Sequence, residues 1–400
     1  MKKLLAIALA AVTAISIMAC GGSGSAASEP AAQAETETQA AEPAAEAPAA
    51  EAPAEGGEIL IGCLQDITGN TSGLGMSVQK GAQAAVDEIN AGGGIGGKTL
   101  VMKTYDTKGD VTEAVNAYIT AVTVDNVELI IGPPVANIAN AIKETSEGYD
   151  VPIVGLAMDP ACQLKEDGTP YKNMFCMQPS ATSQGQIMAA FAVKNGYKTY
   201  GILYNQENAY SVSLLQPFQD ELAANNITID SSLIVPYGAA DTDYKTLLQP
   251  IVSAGVDAIY CPNYTQQLVA IVTAATELGY EGKIIAGLDA APSFNTTYGG
   301  DCSNVYYINN INMEDPTTAE MAAKVSADVA AVNKYFLGYD MVNAVATVLG
   351  EHDGDKEAIR SAMENLNYTG LTGNIVIDPA THMPTGMKMY MYTYDNQEPV

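Results

Sequence analysis

The chain has 400 residues, 48% of them hydrophobic, with 36 glycines and a formal charge of −28. This length and apolar content are sufficient for two domains with separate cores. No stretch is strongly basic, which argues against nucleic acid as a partner, and an acidic surface indicates solubility without identifying a partner.

The first twenty residues, MKKLLAIALAAVTAISIMAC, are typical of an export signal. Two lysines precede an apolar run that is too short to span a bilayer comfortably. The last four residues, ending at Cys20, resemble a bacterial lipobox, in which the peptide is cut before a cysteine that then carries lipid. We expect residues 1–20 to be a lipoprotein signal peptide with Cys20 as the lipidation site. An ordinary signal peptide cut elsewhere is the alternative.

Residues 21–57 have a biased composition rich in Ala, Glu and Pro. They contain no Val, Ile, Leu, Met, Phe or Tyr, so they have no apolar surface to bury. We expect a disordered and rather extended tether that holds a folded part near the membrane. The lipid on Cys20 is then the expected attachment to the membrane.

From residue 58 onward, short apolar runs alternate with segments of helical periodicity. The first series begins with the strand EILIGCLQ and a helix over 76–90, and ends with VPIVGLA and a helix around 183–195. A second series runs from YGILYN, through a helix over 211–224 and a strand in ITIDSSLIV, to KIIAGLD. Such alternation predicts parallel sheets with helices on both faces. The predicted fold class is α/β, with two doubly wound parallel-sheet lobes.

The stretch GGGIGGKT, residues 92–99, matches the phosphate-loop pattern G-x-x-x-x-G-K-[ST]. A phosphate loop follows a strand and opens a helix, so that the helix N-terminus points at phosphate. Here the order is reversed, because a helical pattern precedes the glycines and the apolar run TLVMKTYD follows them. The stretch therefore predicts a helix end and a turn rather than a nucleotide site.

The chain has six cysteines and two histidines, which limit the metal sites and redox chemistry that it could contain. Cys162 and Cys176 enclose a polar turn between two apolar runs. They form either a disulfide in this exported protein or two buried thiols. No Cys-x-x-Cys pair occurs, and the two histidines are far from any partner motif, so no metal site and no cofactor are expected.

Polar side chains concentrate in the segments that follow the predicted strands. Examples are LQDITGNTSGLG after the first strand, PPVANIANA after VELIIG, and NYTQQ after VDAIYCP. Ligands of open parallel sheets bind beyond the carboxyl ends of the strands. We expect these loops to converge on a cleft between the lobes that accepts a small molecule, although polar residues also occur in loops simply because they form turns.

The stretch from ILIGCLQDITGN to INAGGGIGGKTL resembles the opening of periplasmic type I solute-binding proteins of the branched-chain amino-acid transport class. The ending YFLGYDMVNAVATVL, followed by EAIRSAMENLNYTGLTGNIVID, resembles the C-terminal section of that family. The similarity covers roughly residues 58–395 in the right order, and the family has a glycine turn where this chain has GGGIGGKT.

The resemblance implies two lobes that are joined by a three-crossover hinge and close over a ligand. We expect one lobe from residues 58–180 and about 312–380, and the other from about 181–311 and 381–400. Members hand a captured solute to an ATP-driven permease. The implied partners are a small-molecule ligand and an ABC permease, and we expect a monomer outside the bacterial cytoplasmic membrane, anchored through Cys20.

The resemblance also implies ligand contacts in the second lobe. Asp289, in GLDAAPS, matches an acidic residue that binds the ammonium group of the ligand. Tyr264 matches an aromatic residue of the preceding strand loop. Tyr210 matches a further tyrosine if one residue is inserted.

First-lobe positions depart from the family. Leu74 stands where an aromatic residue is usual, and Ala136 stands where a serine holds the ligand carboxylate. Asn137 is the nearest polar substitute. A lost hydroxyl leaves a buried carboxylate short of a donor, although backbone N–H groups at the helix starting near Ala136 could hold an anion.

Asp159, two residues after Ala157 in LAMDPA, replaces a threonine of the family. Ser180 and Thr182 flank a crossover position that is often acidic. A carboxylate at Asp159 beside the expected target of Asp289 favours a cation or a group rich in N–H donors. Alternatively, Asp159 is a turn residue of an Asp-Pro pair that faces solvent.

These features predict a solute-binding component of an ABC importer that captures an amino acid or an amine-like small molecule by hinge closure, without catalysis. A sensor of the same fold that feeds a signalling partner is the second hypothesis. The third is a hydrolase in which Asp159 and Asp289 act as an acid/base pair, for which the sequence contains no nucleophile motif.

Overall fold

The computed structural model of the protein describes residues 56–288, 293–352, 354–393 and 397–399. In these ranges the chain forms two large β-sheets, one small sheet and helices on the sheet faces. The strands are β1 (Glu58–Gln65), β2 (Thr99–Asp106), β3 (Ile130–Ile131), β4 (Ile153–Gly155), β5 (Met174–Cys176), β6 (Tyr200–Asn205), β7 (Ile234–Tyr237), β8 (Ala258–Cys261), β9 (Lys283–Ala286), β10 (Val305–Asn309), β11 (Asn367–Gly370), β12 (Gly373–Asp378), β13 (Met383–Thr385), β14 (Tyr390–Tyr392) and β15 (Gln397–Pro399).

The helices lie mostly between successive strands. They are α1 (Ser72–Ala91), α2 (Val111–Thr123), α3 (Ala136–Ser146), α4 (Ala181–Lys194), α5 (Ala209–Ser213), α6 (Leu215–Ala224), α7 (Tyr244–Ser253), α8 (Thr265–Glu277), α9 (Ser293–Tyr298), α10 (Pro316–Val325), α11 (Val332–His352) and α12 (Lys356–Met363). No helix of the described residues is long and apolar enough to cross a membrane.

The first lobe is built on a parallel sheet in the order β2-β1-β3-β4-β5. Helices cover both faces of this sheet, which is why β1 is apolar over most of its length. On one face Ile59 and Ile61 of β1 pack with Val78 of α1 and with Leu337 and Met341 of α11. Helices α2 and α3 cover the other face, and the small sheet β11-β12-β13 and α12 add to the first cluster.

The second lobe has a sheet in the order β15-β14-β10-β9-β8-β6-β7. Strands β6 to β10 pair in parallel, whereas β14 and β15 are antiparallel at one edge. Helices α7 and α8 cover one face and helices α4 and α6 cover the other. The chain passes from the first lobe to the second after β5, returns to the first after β10, and passes to the second again after β13. The predicted architecture of two α/β lobes with three crossovers is confirmed.

The glycine stretch connects α1 to β2, as its neighbours predict. Helix α1 ends at Ala91 and β2 begins at Thr99. Gly93 and Gly94 have φ angles of 100° and 75°, a backbone region that favours glycine. Because no helix starts after Lys98, the turn has no helix N-terminus to offer a phosphate group.

Two second-lobe elements differ from the predictions. The helix predicted over 211–224 is two helices, α5 and α6, which meet at Leu214. The strand predicted in ITIDSSLIV begins only at Ile234, after the 3-10 helix Ser231–Leu233. Asp230 stabilises that 3-10 turn, since its carboxylate accepts a hydrogen bond from the backbone N–H of Ser232 at 2.9 Å.

Candidate functional site between the lobes

A cavity of about 580 Å³ lies between the two lobes, beyond the carboxyl ends of β1 and β8. The first lobe contributes the loop after β1 and the first turn of α1. The second lobe contributes the start of α8 and one residue of α9. The described lining residues are Gly69, Asn70, Thr71, Ser72, Gly73, Leu74, Tyr264, Thr265, Gln266, Gln267, Thr297 and Ala330. The cavity is large enough for a small organic molecule.

A buried carboxylate fixes the first-lobe wall. Asp66 is inaccessible to solvent and accepts hydrogen bonds from Gly69 N at 2.6 Å, Thr71 N at 2.8 Å and Thr71 Oγ1 at 2.7 Å. A Cβ atom at Gly75 would overlap the carbonyl oxygen of Asp66, so only glycine permits this approach of α1. Hydrogen bonds and close packing therefore define the conformation of this wall where it borders the cavity.

Asp106, at the end of β2, holds the same loop from the side. Its carboxylate accepts from Ile67 N at 2.9 Å and from Thr68 Oγ1 at 2.6 Å. Burial acts to raise the pKa of Asp106, but the hydrogen bonds from Thr68 and from backbone N–H groups outweigh it and lower that pKa. Asp106 is thus ionised at neutral pH.

Two stacked tyrosines form the second-lobe wall. Tyr264 immediately precedes α8, and its ring lies on that of Tyr210 with centroids 5.2 Å apart and planes 7° apart. Tyr210 is only 2% exposed, so it supports Tyr264 from behind. A Cβ at Gly287 would overlap the hydroxyl of Tyr210, and Asn208 accepts a hydrogen bond from Tyr210 N at 2.9 Å. Aromatic pairs of this kind contribute about 0.5–1.5 kcal/mol beyond the buried area.

The two lobes touch directly in this structure. Asn137 of α3 accepts a hydrogen bond through Oδ1 from the backbone N–H of Ala209, the first residue of α5, at 3.0 Å. Ala209 and Tyr264 also pack against the buried cluster of the first lobe. Asn137, which the sequence suggested as a ligand contact, thus holds the second lobe in place.

The structure places the remaining first-lobe candidates around strand ends and helix starts. Ala136 and Ala157 are each 2% exposed. The carboxylate of Asp159 accepts from Ala161 N at 3.0 Å and caps a short 3-10 helix, in agreement with the turn alternative for its local role. Ser180 caps α4 by accepting from Ser183 N at 3.2 Å. None of these residues belongs to the described residues that line the cavity.

Thr182 lies exposed in the first turn of α4. Asp289 and Cys20 lie outside the described residues, so the structure does not place them. The structure therefore brings Leu74 and Tyr264 together on facing walls of the cavity and puts Tyr210 behind Tyr264.

Most residues that line the cavity were not predicted from the sequence as ligand contacts. The amides Asn70, Gln266 and Gln267 belong to LQDITGNTSGLG and NYTQQ, two of the polar segments expected to meet at the cleft. The sequence feature that could have indicated these residues was their position in segments that follow the strands β1 and β8. Polar residues in turns are too common for that signal to select individual side chains.

Cys162 and Cys176 are free and buried, so the structure does not form the disulfide that was one of two alternatives. Their thiols point to different carbonyl oxygens, Cys162 Sγ to Ala136 O at 3.6 Å and Cys176 Sγ to Gln178 O at 3.3 Å. Burial raises the pKa of the Cys176 thiol to about 12, and raises that of Cys162 well above its usual value. Both remain protonated and unreactive.

Among the described residues, no group of three or more His, Cys, Asp or Glu side chains is arranged to hold a metal ion. The acid/base pair of the hydrolase hypothesis finds no geometric support in the described residues. Asp159 is occupied as a helix cap, and Asp289 lies outside the described ranges.

The periplasmic binding protein family matches residues 58–399 of the chain. The chain belongs to the periplasmic binding protein family. This periplasmic binding protein is 26% identical over 322 residues to the Leu/Ile/Val-binding protein BraC3 of Rhizobium johnstonii, covering 77% of this chain and 84% of that one. It is 24% identical over 371 residues to BasB, the substrate-binding protein of a chemotactic signal transduction system in Halobacterium salinarum, covering 84% and 88%.

Its fold is that of the leucine-binding protein LivK from Thermotoga maritima, with a TM-score of 0.75 and 24% sequence identity. The match covers 86% of this periplasmic binding protein and 97% of LivK. The resemblance noted from the sequence is confirmed, and the interlobe cavity lies where two lobes of this fold face each other.

Proposed function

We propose that this periplasmic binding protein captures an amino acid or an amine-like small molecule between its lobes and delivers it to an ABC permease. The observation that carries the proposal is the cavity of about 580 Å³ whose walls come from both lobes, with Leu74 opposite Tyr264. A solute that contacts both walls stabilises the closed form over the open form. The binding proteins BraC3 and LivK, named for Leu/Ile/Val and leucine, support an amino acid as the solute class.

In the proposed cycle the lobes separate at the three crossovers, near residues 180, 312 and 381, and the solute enters the open cleft. Closure removes water, so hydrogen bonds and charge pairs within the cleft gain strength. Asp289 receives the ammonium group, and Tyr264 forms an aromatic wall beside it. Cys20 carries the lipid that holds the protein, as a monomer, at the outer face of the cytoplasmic membrane.

A thermal-shift screen of amino acids and amines on the full mature protein tests the solute class. A ligand that binds only the folded form at 100 times its Kd stabilises that form by about 2.7 kcal/mol. We expect at least one amino acid or amine to raise the melting temperature. If no compound of either class does so, the proposed solute class is wrong.

Variants of the best ligand's site test its position. Asp289→Asn removes a charged hydrogen bond worth about 1.5–3 kcal/mol, so affinity should fall roughly 10-fold or more. Tyr264→Ala should also weaken binding, whereas Tyr339→Ala, a tyrosine that hydrogen-bonds Glu88 at 2.5 Å on the first lobe, is the matched control. Unchanged affinity in both cleft variants would place the solute elsewhere.

The resemblance to BasB supports a second candidate, a sensor that reports the bound solute to a signalling partner. The two roles differ in what the cell loses when the gene is deleted. Loss of uptake of the labelled solute supports import. Normal uptake with a lost behavioural response to the solute supports sensing.

A further inference from the structure

Three side-chain amides on the cavity walls have no hydrogen-bond partner among the described residues. Asn70 lies on the first-lobe loop, and Gln266 and Gln267 lie on the first turn of α8 opposite. Elsewhere, Gln83 and Gln216 bond to the carboxylate four residues further along their helices, at 2.8 Å and 2.6 Å.

The rest of the described lining is neutral. Hydroxyl groups come from Thr71, Ser72, Thr265 and Thr297, and Leu74 is the one large aliphatic side chain among the described lining residues. No Asp, Glu, Lys, Arg or His side chain occurs in that described lining. The walls therefore offer hydrogen-bond donors and acceptors together, beside the apolar surface of Leu74, Tyr264 and Ala330.

Nearby polar groups are already occupied. The carboxylate of Asp66 accepts from Gly69 and Thr71, and Asn137 accepts from Ala209. The groups left to meet a solute in the described lining include the hydroxyl of Ser72 and the three amides, which each donate and accept. Their complement is a group that also donates and accepts, such as a carboxamide or a hydroxyl.

An aliphatic side chain that lies against the three amides, rather than against Leu74 or Tyr264, would be poorly matched. Lobe closure around it would strip water from the amides without replacing the lost hydrogen bonds, which is costly. Sites built to hydrogen-bond a substrate group discriminate strongly against analogues that lack the group. A carboxylate side group would also be disfavoured, because the described lining holds no cation to pair with it.

We infer that the captured solute carries a neutral hydrogen-bonding side group, a carboxamide or a hydroxyl, which Asn70 and Gln267 select over an aliphatic one. This inference rests on the proposed capture of an amino acid in the same cavity. It separates this chain from the Leu/Ile/Val-binding proteins to which it is similar.

Calorimetric titration of the full mature protein tests the inference with eight L-amino acids. Glutamine, asparagine, serine and threonine represent neutral polar side groups, and leucine, isoleucine and valine represent aliphatic ones. Glutamate matches glutamine in size but carries a charge. We expect the tightest polar amino acid to bind at least roughly 10-fold more tightly than any aliphatic one, and glutamine more tightly than glutamate.

Two variants locate the selectivity. Asn70→Leu and Gln267→Leu should each weaken the best polar amino acid by roughly 5-fold or more and narrow its advantage over leucine. Gln249→Leu is the matched control, since Gln249 is exposed on α7, bonds to Ser253 Oγ at 2.9 Å and does not line the cavity. Its binding should equal that of the unmodified protein, and unchanged melting temperatures should show that all three variants fold.

The outcomes separate the inference from the proposed function. Leucine, isoleucine or valine binding as tightly as any polar amino acid would overturn the inference and leave amino-acid capture standing. Equal selectivity in Gln267→Leu, Asn70→Leu and Gln249→Leu would overturn the assignment of these amides. Absence of binding by all eight amino acids would overturn the inference together with the amino-acid half of the proposed function.

Discussion

Replacing Asn137 by alanine should weaken solute binding, because it removes a hydrogen bond between the lobes. The side chain joins the lobes through one hydrogen bond, Asn137 Oδ1 to Ala209 N at 3.0 Å. A neutral hydrogen bond contributes about 0.5–1.5 kcal/mol net. Because Asn137 is exposed, water competes for its partner, and we expect the lower part of that range, about 0.5–1 kcal/mol.

That energy corresponds to roughly a 2- to 5-fold loss in the closing equilibrium. Where the open form predominates without solute, the Kd of a solute that binds the closed form is raised by the same factor, since the competent state is less populated. Calorimetry on Asn137→Ala and on the control Asn116→Ala, an exposed position of α2, measures the difference. Equal Kd values for the two variants would refute the role of Asn137 in closure.

Asn137→Asp distinguishes an interlobe contact from a solute contact. A carboxylate at this position still accepts from Ala209 N, and charged acceptors form stronger hydrogen bonds, so affinity should be kept or increased. If the Asn137 side chain instead held the carboxylate of the solute, the new negative charge would repel it and affinity would collapse.

Two further predictions concern stability. A Cβ at Gly81 of α1 would overlap the carbonyl oxygen of Tyr335 in α11, so Gly81→Ala should destabilise the protein by about 1–3 kcal/mol in urea unfolding. Gly350→Ala is the control, because its Cβ would lie at an ordinary contact distance of 3.5 Å from Ile95 Cγ2, and it should be neutral or stabilising. Equal effects of the two substitutions would contradict the close helix contact at Gly81. Burial lowers the pKa of His382 below 6.5, so the free energy of unfolding should be highest above pH 6.5 and fall as pH drops through the folded pKa. His382→Asn, which suits the φ angle of 55°, should flatten that slope, and an unchanged slope would show that another group causes it.

The fold was predictable because its strong periodic elements keep their local pattern. The strand sequences EILIGCLQ, TLVMKTYD and YGILYN correspond residue for residue to β1, β2 and β6. The small sheet was harder. Strands β11 and β13 have four and three residues, too short to show an alternation of apolar and polar positions. They form because β12 pairs with both, a contact that no local pattern encodes.

The site was predictable only in outline. The polar loops after β1 and β8 do meet, and Leu74 and Tyr264 line the cavity between them. Asn137 could not be recognised as an interlobe contact, because its partner Ala209 is a backbone N–H distant in sequence. Likewise, the sequence could not show that the Gln267 amide has no hydrogen-bond partner among the described residues, because the groups within reach depend on the folded structure.

Helix α11 has a consequence for how the chain acquires its structure. Its residues Leu337, Met341 and Val345 pack with Ile59 and Val78, which precede them by more than half the chain. During synthesis, the apolar core between β1, α1 and α11 is therefore completed only after the last quarter of the chain has been made. A fragment that stops before α11 would display that apolar face to water, where it invites aggregation and chaperone binding.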